Sequence, residues 1–131
     1  MLFRPRKRFK DTRELLHMLI EFLREKDPMK TAYVSGAISS NNGRSVEENI
    51  AELNRYAAML ESEYDVVIDP SAVGDLEAMG HSREDALHCW CSLLASGKVG
   101  VIAMVPGWKK STGACTEHET AQKAGLKIIY L

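Results

Sequence analysis

The sequence has no apolar run that approaches the ~20 residues needed to span a bilayer as a helix. Its 17 lysines and arginines nearly balance 18 aspartates and glutamates, so no net positive field attracts a nucleic-acid polymer. Only three cysteines are present, an odd number that excludes a fully paired disulfide framework and favours a reducing compartment. With 131 residues and 45% hydrophobic content, the chain is predicted to be one globular, cytoplasmic domain.

Several motifs of cofactor and metal sites are also missing. There is no G-x-G-x-x-G dinucleotide fingerprint, no G-K-[ST] phosphate loop and no G-x-S-x-G nucleophile elbow. Cys89 and Cys91 have only C-x-C spacing and lack the second Cys/His pair of a structural zinc site. We therefore predict no metal and no cofactor, and expect the cysteines to be ordinary thiols.

The first 29 residues are predicted to form an appendage to the main domain. The first ten residues, of which five are basic, are not followed by the apolar core of a signal peptide, so we expect a frayed, solvated terminus. Residues 11–26 carry leucines at helical spacing and end before Pro28. Their apolar stripe could pack on its own domain or on a second subunit. We favour the subunit, and hence a homo-oligomer.

Residues 30–131 alternate between short apolar strands and helical patterns. The predicted strands are residues 31–35, 65–68, 99–105 and 127–131, and the predicted helices begin after Ser45 or span residues 83–94 and 112–124. This alternation predicts an α/β fold, a Rossmann-like (flavodoxin-like) parallel sheet of four to five strands flanked by helices, with an extra N-terminal helix. Ligands of such sheets bind beyond the carboxyl ends of the strands, which points to residues 36–42, 69–73 and 106–117.

Glu117 is the most informative acid in the last of these segments. On a helix it shares one face with Gly113, Ala114 and Ala121, whose small side chains allow close approach to the sheet. A carboxyl group on such a face needs partners or shifts its pKa upward, and both are common at functional sites. The alternative is a carboxylate at the margin of the stripe that reaches water.

Residues 106–117 also resemble a known family. Tyr33-Val34-Ser35-Gly36, then Asp69-Pro70, then the pattern P-G-W-x-x-S-x-G-A-x-x-E are similar to the nucleoside 2-deoxyribosyltransferase superfamily, in particular to a small branch with that signature. The resemblance implies cleavage of the N-glycosidic bond of a nucleoside or nucleotide. The glutamate attacks the anomeric carbon, and a second acid/base group assists.

The resemblance implies a set of site residues. The implied catalytic residues are Glu117 and the partner acid Asp85, and the implied substrate-binding residues are Tyr33, Ser35, Gly36, Asp69, Pro106, Gly107, Trp108, Ser111 and Gly113. Gly36 would line the base or sugar site, and Ser111 would meet a sugar hydroxyl or phosphate. The family's aspartate on the helix before the third strand is replaced here. Asp85 is the nearest acid, and Asp85 or Asp69 is the expected partner acid. Two alternatives stay open: a non-catalytic nucleotide-binding module, and a homo-oligomeric interaction protein.

Overall fold

A computed structural model of the chain describes residues 1–5, 8–38, 43–73 and 76–131. Its helices are α1 (Thr12–Leu23), α2 (Val46–Leu60), α3 (Arg83–Ala95) and α4 (Thr112–Ala124), and its strands are β1 (Thr31–Ser35), β2 (Val66–Ile68), β3 (Val101–Met104) and β4 (Lys127–Tyr130). Short 3₁₀ turns cover Pro28–Lys30, Pro70–Val73 and Trp108–Lys110. No helix of the described residues is long and apolar enough to cross a membrane.

The four strands form one parallel sheet in the order β2-β1-β3-β4. The chain leaves β1 in one direction to form β2 and then crosses back to form β3 on the other side of β1. This reversal is the switch point at which ligands bind in doubly wound folds, and it lies at the carboxyl ends of β1 and β3. The predicted Rossmann-like α/β fold is confirmed.

Two hydrophobic clusters bury β1, β2 and β3 on both faces, whereas β4 at the edge is partly exposed. On one face α2 packs through Leu53 and Ala57 against Val34 and neighbouring strand residues. On the other face α1, α3 and α4 cover strand residues that include Tyr33. Because successive side chains of a strand point to opposite faces, Tyr33 and Ser35 both project toward α3 and α4.

Local sequence explains where the helices begin. Ser45 and Glu48 form the capping box before α2: each side chain accepts a hydrogen bond from the other's backbone N–H, both at 3.1 Å. Asp11 caps α1 by accepting from the backbone of Glu14 at 2.9 Å.

The N-terminal region corrects two expectations. The terminus is not frayed, because Phe3 and Phe9 are buried and the backbone N–H of Phe3 donates to the carbonyl of Val67 at the edge of β2. The apolar stripe of α1 packs on its own domain and not on a second subunit, because Leu15 and Leu19 are fully buried within the chain, largely against α3. Helical periodicity shows that a stripe must be covered, but it does not show by what.

Candidate functional site

Glu117 is buried, with only 7% of its surface exposed, and both of its carboxylate oxygens are hydrogen-bonded. Tyr33 donates its phenolic O–H to Oε2 at 2.7 Å, and Ser35 donates its hydroxyl to Oε1 at 2.7 Å. These donors are two residues apart on the same face of β1. Gly113 and Ala114 add little bulk to the same side of α4. The prediction of a buried, partnered Glu117 is confirmed, and the alternative of a solvated carboxylate at the margin is wrong.

The surroundings of Glu117 change its protonation. Burial raises the pKa of its carboxyl from a usual value of 4.5 to about 7, although the hydrogen bonds from Ser35 and Tyr33 act in the opposite direction. The pKa of Tyr33 also lies well above its usual value, first because the phenol is buried and then because it faces the Glu117 carboxylate. Tyr33 therefore remains a protonated donor across the pH range in which Glu117 titrates.

A cavity of about 250 Å³ opens beside Glu117 at the carboxyl ends of the strands. Its walls come from four parts of the chain: the loop after β1, the start of α2, the segment between β2 and α3 with the adjoining face of α3, and the first turns of α4. The lining residues are Gly36, Ile38, Val46, Ile50, Pro70, Ser71, Leu76, Glu77, Arg83, Ala86, Leu87, Trp90, Ser111, Thr112, Gly113, Ala114, Thr116 and Glu117. Most are apolar, so the cavity suits a ligand with a flat or apolar part and a few polar groups.

The first turn of α4 supplies polar groups to this cavity. Ser111 caps the helix, accepting from the backbone N–H of Ala114 at 3.2 Å. The backbone N–H groups of the first helical turn have no partner within a helix, and Thr112 and Gly113 both line the cavity. Ser111, Gly113 and Gly36 line the cavity, and their role as binding residues stays a prediction. A Cβ on Gly36 would lie 3.0 Å from side-chain atoms of Leu53 and Val105, so a larger residue would crowd this wall.

The first part of the predicted signature segment does not reach the cavity. Pro106 and Gly107 are exposed, and Gly107, at φ 87°, turns the chain away from the end of β3. Trp108 instead stacks on His118 with ring centroids 4.3 Å apart, and His118 Nε2 lies 2.8 Å from the hydroxyl oxygen of Tyr130. None of Pro106, Gly107 and Trp108 is among the described lining residues, so their prediction as binding residues is not supported.

The two predicted partner acids are not brought to the cavity. Asp85 lies exposed in the first turn of α3, where its backbone N–H donates to the capping hydroxyl of Ser82 at 3.0 Å. Asp69 is buried, but its Oδ1 accepts from the backbone and the hydroxyl of Ser71, at 2.9 and 2.7 Å. Its Oδ2 has no hydrogen-bond partner among the described residues, and burial raises the pKa of the group. Asp69 thus lies behind Ser71, which does line the cavity.

Sequence reasoning missed the ion pair at the cavity. Arg83 Nε donates to Glu77 Oε1 at 3.2 Å, and both residues line the cavity. Among the described lining residues, Glu77 and Glu117 are the carboxylates and Arg83 is the one lysine or arginine. The spacing of Arg83, Ala86, Leu87 and Trp90 at i, i+3, i+4 and i+7 marks one helical face and could have indicated Arg83. Glu77 has no such signal.

No group of three or more His, Cys, Asp or Glu side chains could hold a metal ion in the part of the chain that the structure describes. The three cysteines are free thiols. Burial raises the pKa of Cys89 to about 12 and also raises that of Cys91, so neither thiol is activated as a nucleophile. Residues 39–42, the far part of the predicted ligand segment 36–42, lie outside the described residues.

Residues 30–130 match a protein family described as "Domain of unknown function (DUF4406)". The chain belongs to this family. The match leaves α1 outside and includes all four strands and the residues that line the cavity. Comparisons with curated proteins and with solved structures give no match.

Proposed function

We propose that the protein cleaves the N-glycosidic bond of a deoxynucleoside or deoxynucleotide, with Glu117 as the nucleophile. The observation that supports this most is a carboxyl group buried beside a cavity, with each oxygen held by a hydroxyl donor. Two fixed donors orient the carboxylate, and orientation is a large part of what a catalytic nucleophile requires. The resemblance of residues 106–117 to the deoxyribosyltransferase signature points to the same chemistry.

The reaction has two steps. The Glu117 carboxylate attacks the anomeric carbon, and the bond between that carbon and the base nitrogen breaks with its electron pair going to the base, which takes up a proton from solvent. Water, or a second base, then attacks the same carbon, loses a proton to solvent and displaces the Glu117 carboxylate. Hydrolysis gives the free sugar and transfer gives a new nucleoside. Both outcomes retain the configuration of the anomeric carbon because each step inverts it.

The pKa of about 7 fits this role at neutral pH. A substantial fraction of Glu117 is then ionised and able to attack. The carboxylate is also a better nucleophile in a dry, apolar site than an exposed carboxylate solvated by water. Because the ionised form reacts, the rate should rise as the pH increases through about 7.

The test is release of free base from a panel of 2′-deoxynucleosides and their 5′-monophosphates, measured by chromatography. Wild-type protein should release base from at least one substrate, and Glu117→Gln should abolish the release. The matched control is Glu119→Gln, because Glu119 is exposed on the same helix and pairs with Lys123 at 3.1 Å, away from the cavity. It should keep wild-type activity. Release that survives in Glu117→Gln would overturn the assignment of the nucleophile.

A second candidate is a nucleotide-binding module without catalysis. The exposed position of Asp85 favours it, because the acid expected to assist Glu117 is not at the cavity. A binding module would show ligand-induced thermal stabilisation and no base release from any member of the panel. The third possibility, an interaction protein that uses the stripe of α1, loses its basis because Leu15, Leu19 and Leu23 are buried inside the chain.

A further inference from the structure

The ion pair of Glu77 and Arg83 has no part in the mechanism above, although both residues line the cavity. Their side chains are 53% and 60% exposed, so the pair lies at the mouth, whereas Glu117 lies deep with 7% exposure. The pair is built by two separate segments, because Glu77 precedes α3 and Arg83 is its first residue. The pair therefore borders the solvent side of the cavity.

The face of α3 sets the distance between the mouth and the reactive group. Trp90 contacts Tyr33, the hydroxyl donor to Glu117, with ring centroids 5.9 Å apart. Arg83 lies seven residues earlier on the same face, which is about 10 Å along a helix that rises 1.5 Å per residue. Ala86 and Leu87 lie between them and are apolar. A flat, apolar ring could cover this stretch while the sugar lies beside Glu117.

The charge of the pair decides what kind of group it can receive. A phosphate at Arg83 would be repelled by the Glu77 carboxylate, whereas a neutral heterocycle meets no net charge. The guanidinium has five N–H donors, and the bond from Nε leaves others to donate to a ring nitrogen or carbonyl. A carboxylate has about four acceptor positions and can accept from an exocyclic amino group, as acidic side chains do with cytosine.

We propose that Glu77 and Arg83 together recognise the hydrogen-bonding edge of the base and give the protein a preference for bases with an exocyclic amino group. The proposal rests on the proposed function, since it assigns the base end of that same site. Glu77 accepts from the amino group, and Arg83 donates to the adjacent ring nitrogen or carbonyl. In the same pose, an oxo base would direct its oxygen at the carboxylate and its ring N–H at the guanidinium, which opposes acceptor to acceptor and donor to donor and disfavours the oxo base.

Two substrate pairs isolate this effect: deoxyadenosine with deoxyinosine, and deoxycytidine with deoxyuridine. The members of each pair differ at one edge, where an amino group beside a ring-nitrogen acceptor is replaced by an oxo group beside a ring N–H. Wild-type kcat/KM should favour the amino member by about tenfold or more, the usual gain from a well-formed pair of hydrogen bonds. Glu77→Gln should reduce the preference to near unity, because an amide can donate to the oxo group as well as accept. Arg83→Gln should lower kcat/KM for both members of each substrate pair.

Glu119→Gln and Lys123→Gln alter an exposed ion pair on α4 that does not line the cavity, and they should leave the preference unchanged. Equal rates for amino and oxo substrates in the wild type, or a preference that survives in Glu77→Gln with unchanged thermal unfolding, would overturn the proposal and leave the proposed function standing. If no nucleoside is cleaved, the proposed function fails. Calorimetry with adenine and hypoxanthine then tests the pair by itself, and tighter binding of adenine that is lost in Glu77→Gln is the supporting result.

Discussion

Replacing Glu117 by Gln should give a protein whose free energy of unfolding increases relative to that of the wild type as the pH rises. The carboxyl has a pKa of about 7 in the folded chain against a usual value of 4.5. Between these two values the folded chain binds the proton and the unfolded chain releases it. The free energy of unfolding of the wild type therefore falls as the pH rises from about 4.5 to about 7. The stabilising state is the neutral carboxyl, present at acid pH and lost above it.

The size of the effect follows from the difference between the two pKa values. At 1.36 kcal/mol per pKa unit, a difference of about 2.5 units corresponds to about 3 kcal/mol. A Gln at this position has no proton to lose, so its contribution does not vary with pH. The free energy of unfolding of Glu117→Gln minus that of the wild type should grow by about 3 kcal/mol between about pH 4 and pH 8.

Urea denaturation of both proteins at several pH values gives this difference directly. Titrations of all other groups are shared by the two proteins and cancel, as does any constant effect of the amide on packing. Glu119→Gln is the control and should show a difference nearly independent of pH, because its side chain is exposed. If the free energies of unfolding of wild type and Glu117→Gln changed in parallel with pH, the pKa of Glu117 would be the same in the folded and unfolded chains. Glu117 would then not be a buried acid.

Two further predictions concern the core. Leu19→Ala should lower the free energy of unfolding, measured by denaturation, by about 2–5 kcal/mol, because Leu19 is fully buried between α1 and the rest of the domain. A loss below about 1 kcal/mol would mean that α1 packs only loosely on the domain. Iodoacetamide labelling of the native protein at about pH 8 should spare Cys89, whose buried thiol has a pKa of about 12, and should modify it after denaturation; labelling of Cys89 before unfolding would show that α3 opens readily.

The order of elements was predictable because strand and helix periodicities are local properties of the sequence. Four apolar segments separated by capped helices leave few alternatives to a parallel sheet. The burial of Glu117 was predictable for a related reason: Gly113, Ala114 and Ala121 mark a face of α4 that must lie against something. Both inferences used only spacing within one element.

The features that the sequence did not predict depend on which elements pack against each other. Trp108 follows the end of a buried strand, but the turn at Gly107 directs it toward His118 and away from the cavity. Phe3 and Phe9 lie in a basic segment without periodicity, so no pattern in the sequence predicted their burial. Glu77 and Arg83 are six residues apart, and only the path of the chain between β2 and α3 brings them together at the cavity.

The position of Glu117 argues for a chemical role over a structural one. Tyr33 and Ser35 donate to different oxygens of Glu117, and a glutamine that never ionises would keep one of these acceptors and place its NH2 group at the other. An acid at this position instead destabilises the folded chain by about 3 kcal/mol at neutral and alkaline pH, since its pKa is raised by burial. A binding module would use the ionised carboxylate only as an acceptor for a hydroxyl, amino or cationic group of its ligand. A nucleophile requires it, because only the ionised carboxylate can attack an anomeric carbon.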